Sequence, residues 1–273
     1  MAKKKSKGNG SAKSQHSASD EEKLSKVYGK IFDRHSIGAL HRLSVKRYFS
    51  QLESPVNEGK EATVFRARDH AGNYRAVKIY KINTSSFSHM SKYVTGDERF
   101  RGIPKDRKEM VFAWTRKEFA NLERADSVGV RVPKPITFMD NVLVMEFIGD
   151  KNGNAFPALK ECRPDEKEVR ELRNKMIESV ARLYYLGEMV HADFSEYNLL
   201  YNGKELVVID MGQAVLKSHP KANEFLERDL RNIASYSTRN GVKTGYEEAR
   251  TLAKEWESRL KKGSSRLKSR KKF

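Results

Sequence analysis

His191-Ala192-Asp193-Phe194-Ser195-Glu196-Tyr197-Asn198 is a polar octet between apolar flanks, with Met189-Val190 before it and Leu199-Leu200 after it. Apolar residues seek the interior, so these flanks predict a loop held in a fixed place rather than a solvated turn. Within the octet an Asp precedes an Asn by five positions. A carboxylate and an amide held in one fixed loop make Asp193 a candidate proton acceptor and Asn198 a candidate metal ligand. His191 is read as a support of the loop, not as a reacting group.

Downstream, Val207-Val208-Ile209-Asp210-Met211-Gly212 carries an acid out of an apolar strand. A carboxylate there is costly unless a cation accompanies it, which marks Asp210 as a metal ligand. Far upstream, Ala76-Val77-Lys78-Ile79 places a lysine inside an apolar strand, where its ammonium needs a partner. Glu118, on the helix that follows, is the candidate partner, with Glu123 as the alternative. Glu58-Gly59-Lys60-Glu61-Ala62 is a turn between two strands, and a glycine there lets backbone N–H groups approach a phosphate. Each element alone has a plainer reading: a hairpin turn, a half-exposed lysine, a surface loop. In this order, with strands and helices of the right kind between them, they match the pattern of ATP-dependent kinases.

The rest of the chain fits that frame. Leu24, Val27, Tyr28 and Ile31 recur at helical spacing, and Leu40, Leu43, Val45 and Tyr48 follow in a second short segment, so residues 21–50 are read as N-terminal helices. Residues 51–148 read as a small antiparallel sheet with one helix, from about Lys108 to Arg124, after an irregular insert over 83–108. Residues 149–257 read as a mostly helical half. Its longest helix starts at Pro164-Asp165, carries Val169, Leu172, Met176, Val180, Leu183 and Tyr184 as an apolar stripe, and stops at Gly187. Further helices are expected around 220–236 and 245–261. The fold class is therefore α+β, a two-lobed protein-kinase-like fold with a cleft between a β-rich and an α-rich lobe.

The chain has 273 residues and a net charge of +18, with 38% apolar residues and a single cysteine. One cysteine (Cys162) excludes an intramolecular disulfide framework and fits a reducing compartment. No apolar run is long enough for a membrane span, and no apolar stretch follows the basic N-terminus, so a cytoplasmic protein is expected. The charge is concentrated at the ends. Residues 1–16 hold five lysines and no acid, and residues 258–273 hold eight basic residues and no acid. Both are read as tails too poor in apolar residues to fold alone, with 1–20 disordered. Such tails bind polyanions by releasing counterions, and RNA is the polyanion their sign and clustering favour; plain solvation is the other reading.

At His191–Asn198, at Ile209-Asp210-Met211-Gly212-Gln213 and at Gly59-Lys60-Glu61-Ala62 the chain resembles the RIO family of atypical serine/threonine protein kinases, over roughly residues 35–245. The similarity is to the first subfamily, in its compact archaeal-like form. About 50 residues precede the phosphate loop, too few for the winged helix of the second subfamily. The resemblance implies a kinase fold trimmed of its activation segment, with ATP and Mg²⁺ (or Mn²⁺) as cofactors. It implies autophosphorylation on serine, ATPase activity, and a role in maturation of the small ribosomal subunit, with the subunit precursor or its rRNA met through the basic ends.

By the same resemblance Asp193 is catalytic, Asn198 and Asp210 hold metal, and Lys78 holds the phosphates. Gly59, Lys60, Glu61, Ala62, Val64, Ala76, Met145, Glu146, Ile148, Ser195 and Glu196 line the ATP site. In the hinge Met145-Glu146-Phe147-Ile148, adenine is met by the Glu146 carbonyl and the Ile148 amide. Asn57-Glu58 stands where the family has Ser-Thr, which implies weaker nucleotide binding at that loop. Thr84, Ser85, Ser86, Ser88 and Ser91 in the insert are candidate phosphate acceptors. The rival readings are an ATP-gated ribosome assembly factor without a catalytic role, and a small-molecule kinase of the aminoglycoside or choline type.

Overall fold

A computed structural model describes residues 32–82, 87–103 and 106–270. The helix expected over Leu24–Ile31, the tail 1–20 and the hydroxyls of Thr84, Ser85 and Ser86 lie outside the described residues.

Alternation with period two builds the first half. Strands β1 (Gln51–Glu58), β2 (Ala62–Arg68), β3 (Tyr74–Tyr80), β4 (Pro135–Met139) and β5 (Val142–Glu146) form one antiparallel sheet in the order β1-β2-β3-β5-β4. Pro55 lies within β1, an edge strand with irregular register on both sides of the proline, where a missing N–H is tolerated. Successive side chains point to opposite faces. Phe65, Val77, Ile79, Val142 and Val144 therefore share one face, buried under Ala39 and Leu43 of helix α1 (Arg34–Val45). The opposite face presents Val64, Ala76, Lys78, Leu143 and Met145, because Val64 lies across from Lys78, Lys78 from Leu143 and Ala76 from Met145. Helix α3 (Arg107–Ser127) packs beside β4 and β5 and turns Glu118 toward this second face.

The second half is carried by helices α4 (Glu166–Tyr185), α5 (Ala222–Arg239) and α6 (Tyr246–Arg270), which pack on one another. Asp165 caps α4, its carboxylate accepting from the Glu168 N–H at 2.8 Å. Two small ladders, β6 (Met189–Val190) with β9 (Val215–Leu216) and β7 (Leu199–Tyr201) with β8 (Leu206–Val208), frame the polar loops. The octet 191–198 runs from β6 to β7, and Asp210 lies in the loop from β8 to β9. Ala76, Leu143 and Met145 of the sheet share one buried cluster with Leu172, Phe194 and Met211 of the helical half.

Two regions depart from expectation. The insert is not irregular throughout: α2 (Phe87–Val94) and a 3₁₀ turn (Glu98–Phe100) form within it. Met90, Tyr93 and Phe100 are buried there against Trp114 and Phe225, partners remote in sequence. The basic C-terminal stretch is also not a separate tail, since α6 continues through it to Arg270. Ala249, Ala253 and Leu260 anchor the earlier turns of α6 in the core, so the later turns propagate a helix that is already nucleated.

Candidate active site

Lys78 is 8% exposed, and its ammonium lies 2.9 Å from Glu118 Oε1 and 3.0 Å from Asp210 Oδ1. Burial works against its charge, but Asp210 and Glu118 outweigh burial and hold its pKa well above the ordinary lysine value. Glu118 is the partner; Glu123 is exposed on the far side of α3. The second oxygen of Glu118 accepts from the Tyr80 hydroxyl. Asp210 has its pKa lowered, because Lys78 overcomes the cost of burial. Its side chain keeps 41% of its surface open to the cleft, so one face remains free to meet a cation.

Asp193 and Asn198 belong to the octet beside this pair, where the Asn198 carbonyl accepts the N–H of Ile209, the residue before Asp210, at 3.0 Å. Asn198 Nδ2 donates to the Asp193 carbonyl at 2.8 Å and to its carboxylate at 2.9 Å. His191 Nε2 lies 3.1 Å from the Ile209 carbonyl, tying the octet to the strand end that carries Asp210, as expected of a support. Both loops hold strained backbone: Ala192 has φ 68° and Asp210 φ 60°.

What holds that strain was not read from the sequence. Asp229 of α5 is fully buried and accepts the N–H groups of Ala192 and Phe194 at 2.9 Å each. Burial pushes its pKa up to about 6, against His191 and these same N–H bonds. Asn232 donates to the Phe194 carbonyl at 3.0 Å, and Arg228 donates to the Ala192 carbonyl. A signal was present: Asp229 falls on the apolar stripe Phe225, Ala222, Leu230, Ile233 of α5, where an unpaired acid has no place. Lys117 and Asn121 of α3 brace the other loop. Lys117 Nζ donates to the Gly212 carbonyl at 2.7 Å, and Asn121 Nδ2 donates to the Met211 carbonyl at 2.8 Å.

In the phosphate turn the Gly59 N–H donates to the Ala62 carbonyl at 2.9 Å. Glu58 pairs with Lys81 at 3.2 Å, and the same ammonium donates to the Gly59 carbonyl at 2.9 Å, so the charge of Glu58 is matched at the turn itself. Lys60, Glu61 and Asp193 line one crevice of about 290 Å³ with Met90, Lys92, Tyr93, Trp114 and Gln213. Glu61 has its pKa raised by burial and by Asp210 and Asp193. Val64, Ala76 and Met145 lie on the sheet face that also carries Lys78. The Glu146 carboxylate turns away from it to a two-pronged pair with Arg131, at 2.7 and 2.8 Å, leaving the hinge to its backbone. Ile148 is buried beside it.

Glu196 departs from its expected place at the nucleotide: its carboxylate pairs with Arg239 at 2.5 Å and braces the octet from behind. Ser195 lies in the same octet. Ser88 and Ser91 fall on α2. Among the described residues no three His, Cys, Asp or Glu side chains are grouped to hold a metal by themselves. Asp210 and Asn198 carry oxygen donors that would suit a hard cation such as Mg²⁺.

The RIO domain profile matches residues 63–250. The RIO-type serine/threonine-protein kinase Rio1 of Haloferax volcanii is 44% identical over 217 residues, covering 80% of this chain and 73% of that protein. The chain belongs to the RIO family. Its likeness is to Rio1-type members: that of Thermoplasma acidophilum is 41% identical over 70% of this chain and 98% of its own length. Human serine/threonine-protein kinase RIO1 is 36% identical over 78% of this chain and 38% of its own length. Among solved structures, the Rio2 kinase–ADP/Mg²⁺–phosphoaspartate complex from Chaetomium thermophilum superposes with a TM-score of 0.61 at 20% identity, over 93% of this chain and 81% of that one, which shows a shared fold. This RIO protein thus shares a kinase-like arrangement of its α and β elements with that structure.

Proposed function

We propose that this RIO protein transfers the γ-phosphoryl group of ATP to a serine hydroxyl, its own among them, or to water. One observation carries the reading: Lys78 is held between Glu118 and Asp210, while Asp193, bonded by Asn198, lines a crevice with Lys60 and Glu61 of the glycine turn. In this reading Lys78 binds the phosphates, and the N–H groups of Lys60 and Glu61, at the tip of the turn, cradle them. Val64, Ala76 and Met145 pack on the adenine, and the backbone of Glu146 and Ile148 meets its edge. Asp193 accepts the proton of the attacking hydroxyl, and Asn198 keeps its carboxylate in place. Asp210 and Asn198 would hold Mg²⁺, which neutralises charge on the phosphates. The ADP/Mg²⁺ complex of the structural neighbour supports this choice of nucleotide and metal.

The biological setting proposed is maturation of the small ribosomal subunit, with RNA met through the basic end of α6 and the basic N-terminal stretch. Their charge supports this. No helix among the described residues is long and apolar enough to cross a membrane.

The test is incubation of the full chain with γ-labelled ATP and Mg²⁺, scoring labelled protein and free phosphate. Wild type is expected to give both or either. Asp193→Ala should abolish transfer while keeping ATP affinity within about threefold, since its carboxylate acts on the acceptor rather than on the nucleotide. A wild type that does neither refutes the proposal. Adding small-subunit particles, with ATP or ADP, tests the setting by co-sedimentation.

A further inference from the structure

Phosphoryl transfer spreads negative charge over three equatorial oxygens, and a protein that speeds it supplies fixed positive charge at that point. The octet 191–198 contains no Lys or Arg. Other cations near the cleft are already engaged. Lys78 is held by two acids, Lys117 donates to the Gly212 carbonyl, Arg99 pairs with Asp97 at 2.6 Å, and Lys81 pairs with Glu58. Two lysines line the crevice that holds Asp193: Lys60 of the phosphate turn and Lys92 of α2. Among the described residues Lys92 forms no ion pair; its ammonium lies 4.7 Å from the Tyr93 ring centre. It is close enough for its charge to act on the Glu61 carboxyl, which Asp193 and Asp210 also influence.

The insert that carries Lys92 has a built seat. Tyr93 is 3% exposed, with its ring 6.2 Å from Trp114 and 5.4 Å from Phe225. Gly96 has φ 91°, and a Cβ there would lie 2.9 Å from Pro220 Cδ. Arg99 reaches Asn121 Oδ1 at 2.7 Å, on the same side chain that braces Met211. The end of the insert and the loop bearing Asp210 are thus fixed to one point on α3.

We infer that Lys92 is a further catalytic residue, presenting its ammonium to the phosphoryl group in transit, so that the insert completes the active site only when it is seated. This rests on the phosphotransfer reading above. The full chain and its Lys92→Ala and Lys92→Arg variants are compared by single-turnover transfer at saturating ATP and Mg²⁺. They are also compared by calorimetric binding of ADP with and without aluminium fluoride, a mimic of the transferring group. Lys92→Ala is expected to slow transfer about 10²-fold, as removal of one charge that stabilises the transition state does. It should leave ADP affinity within about twofold and weaken the ADP–aluminium fluoride complex at least about tenfold. Lys92→Arg should retain most of both. Transfer by Lys92→Ala at the wild-type rate, or equal weakening of ADP with and without fluoride, overturns the inference while leaving the kinase reading intact. A wild type that turns over no ATP overturns both.

Discussion

The ammonium of Lys78 and the carboxylate of Asp210, 132 positions apart in the chain, meet at 3.0 Å across the cleft. Behind that pair sits Glu118, whose side chain is only 1% exposed. Removing Lys78 leaves Glu118 buried without its cation, which costs about 3–5 kcal/mol. Lys78→Met is therefore expected to lower Tm by about 10 °C for a chain of this size. Adding Glu118→Gln should return much of the loss. Thermal melts of the two variants and wild type decide it: a double variant as unstable as the single one would show that the buried charge is not the cause.

Asp229 sets a pH dependence. Its pKa of about 6 lies above the ordinary Asp value, so between about pH 4 and 6 the folded chain binds its proton more readily than the unfolded chain. Its contribution to stability is present below that window and is lost as pH rises through 6. The loop responds in the opposite sense, because only the ionised carboxylate accepts both the Ala192 and Phe194 N–H groups. Transfer by wild type is expected to fall on the acid side of pH 6. Asp229→Asn, with one acceptor oxygen, should be about tenfold slower at pH 7.5 and lack that acid limb. A rate–pH profile from 5 to 8 that is unchanged in the variant would remove Asp229 from this role.

Gly212 leaves no room for a side chain. A Cβ there would lie 2.7 Å from Trp114 Nε1 and 3.1 Å from the Tyr80 hydroxyl. Overpacking of this kind costs about 1–3 kcal/mol. Because Lys117 holds the Gly212 carbonyl, the displacement passes to Asp210, two residues before it. Gly212→Ala should shift the urea midpoint down and weaken Mg²⁺-dependent nucleotide binding more than binding without metal. Equal effects in both conditions would confine the change to packing.

Much of the site was legible because its chemistry sits at contrasts in the sequence: Lys78 inside an apolar strand, Asp210 at the end of one, and a polar octet between apolar flanks. Each contrast forces a partner, and the partners prove to be one another. The sheet and α4 were legible because their periods of 2 and 3.6 persist for several turns. Strands β6 and β9 were not, since two residues carry no period. Helix α2 was hidden because its stabilisers, Trp114 and Phe225, are remote in sequence, and α6 ran past its expected end because its basic turns extend a helix anchored elsewhere. Glu196 stood in the ATP site only by resemblance; its ion pair with Arg239, distant in the chain, had no local signal.

The basic end of α6 gives a further expectation. Truncation after Leu260 keeps that anchor and removes seven cationic side chains. If they meet RNA, the slope of log affinity against log salt should flatten by at least about 2, at roughly 0.7 for each phosphate of a single strand that is no longer neutralised. Filter binding from about 50 to 300 mM salt measures it, and an unchanged slope would leave that end a solvated extension.

Ala76 and Met145 of the sheet lie in the same apolar cluster as Phe194, Met211 and Leu172 below them. Neither half would keep its floor if the chain were severed at 149. The groove for the nucleotide is therefore a fold within a single body, and a chimera that joins this sheet to a foreign helical base would have to repack that shared floor before it could bind anything.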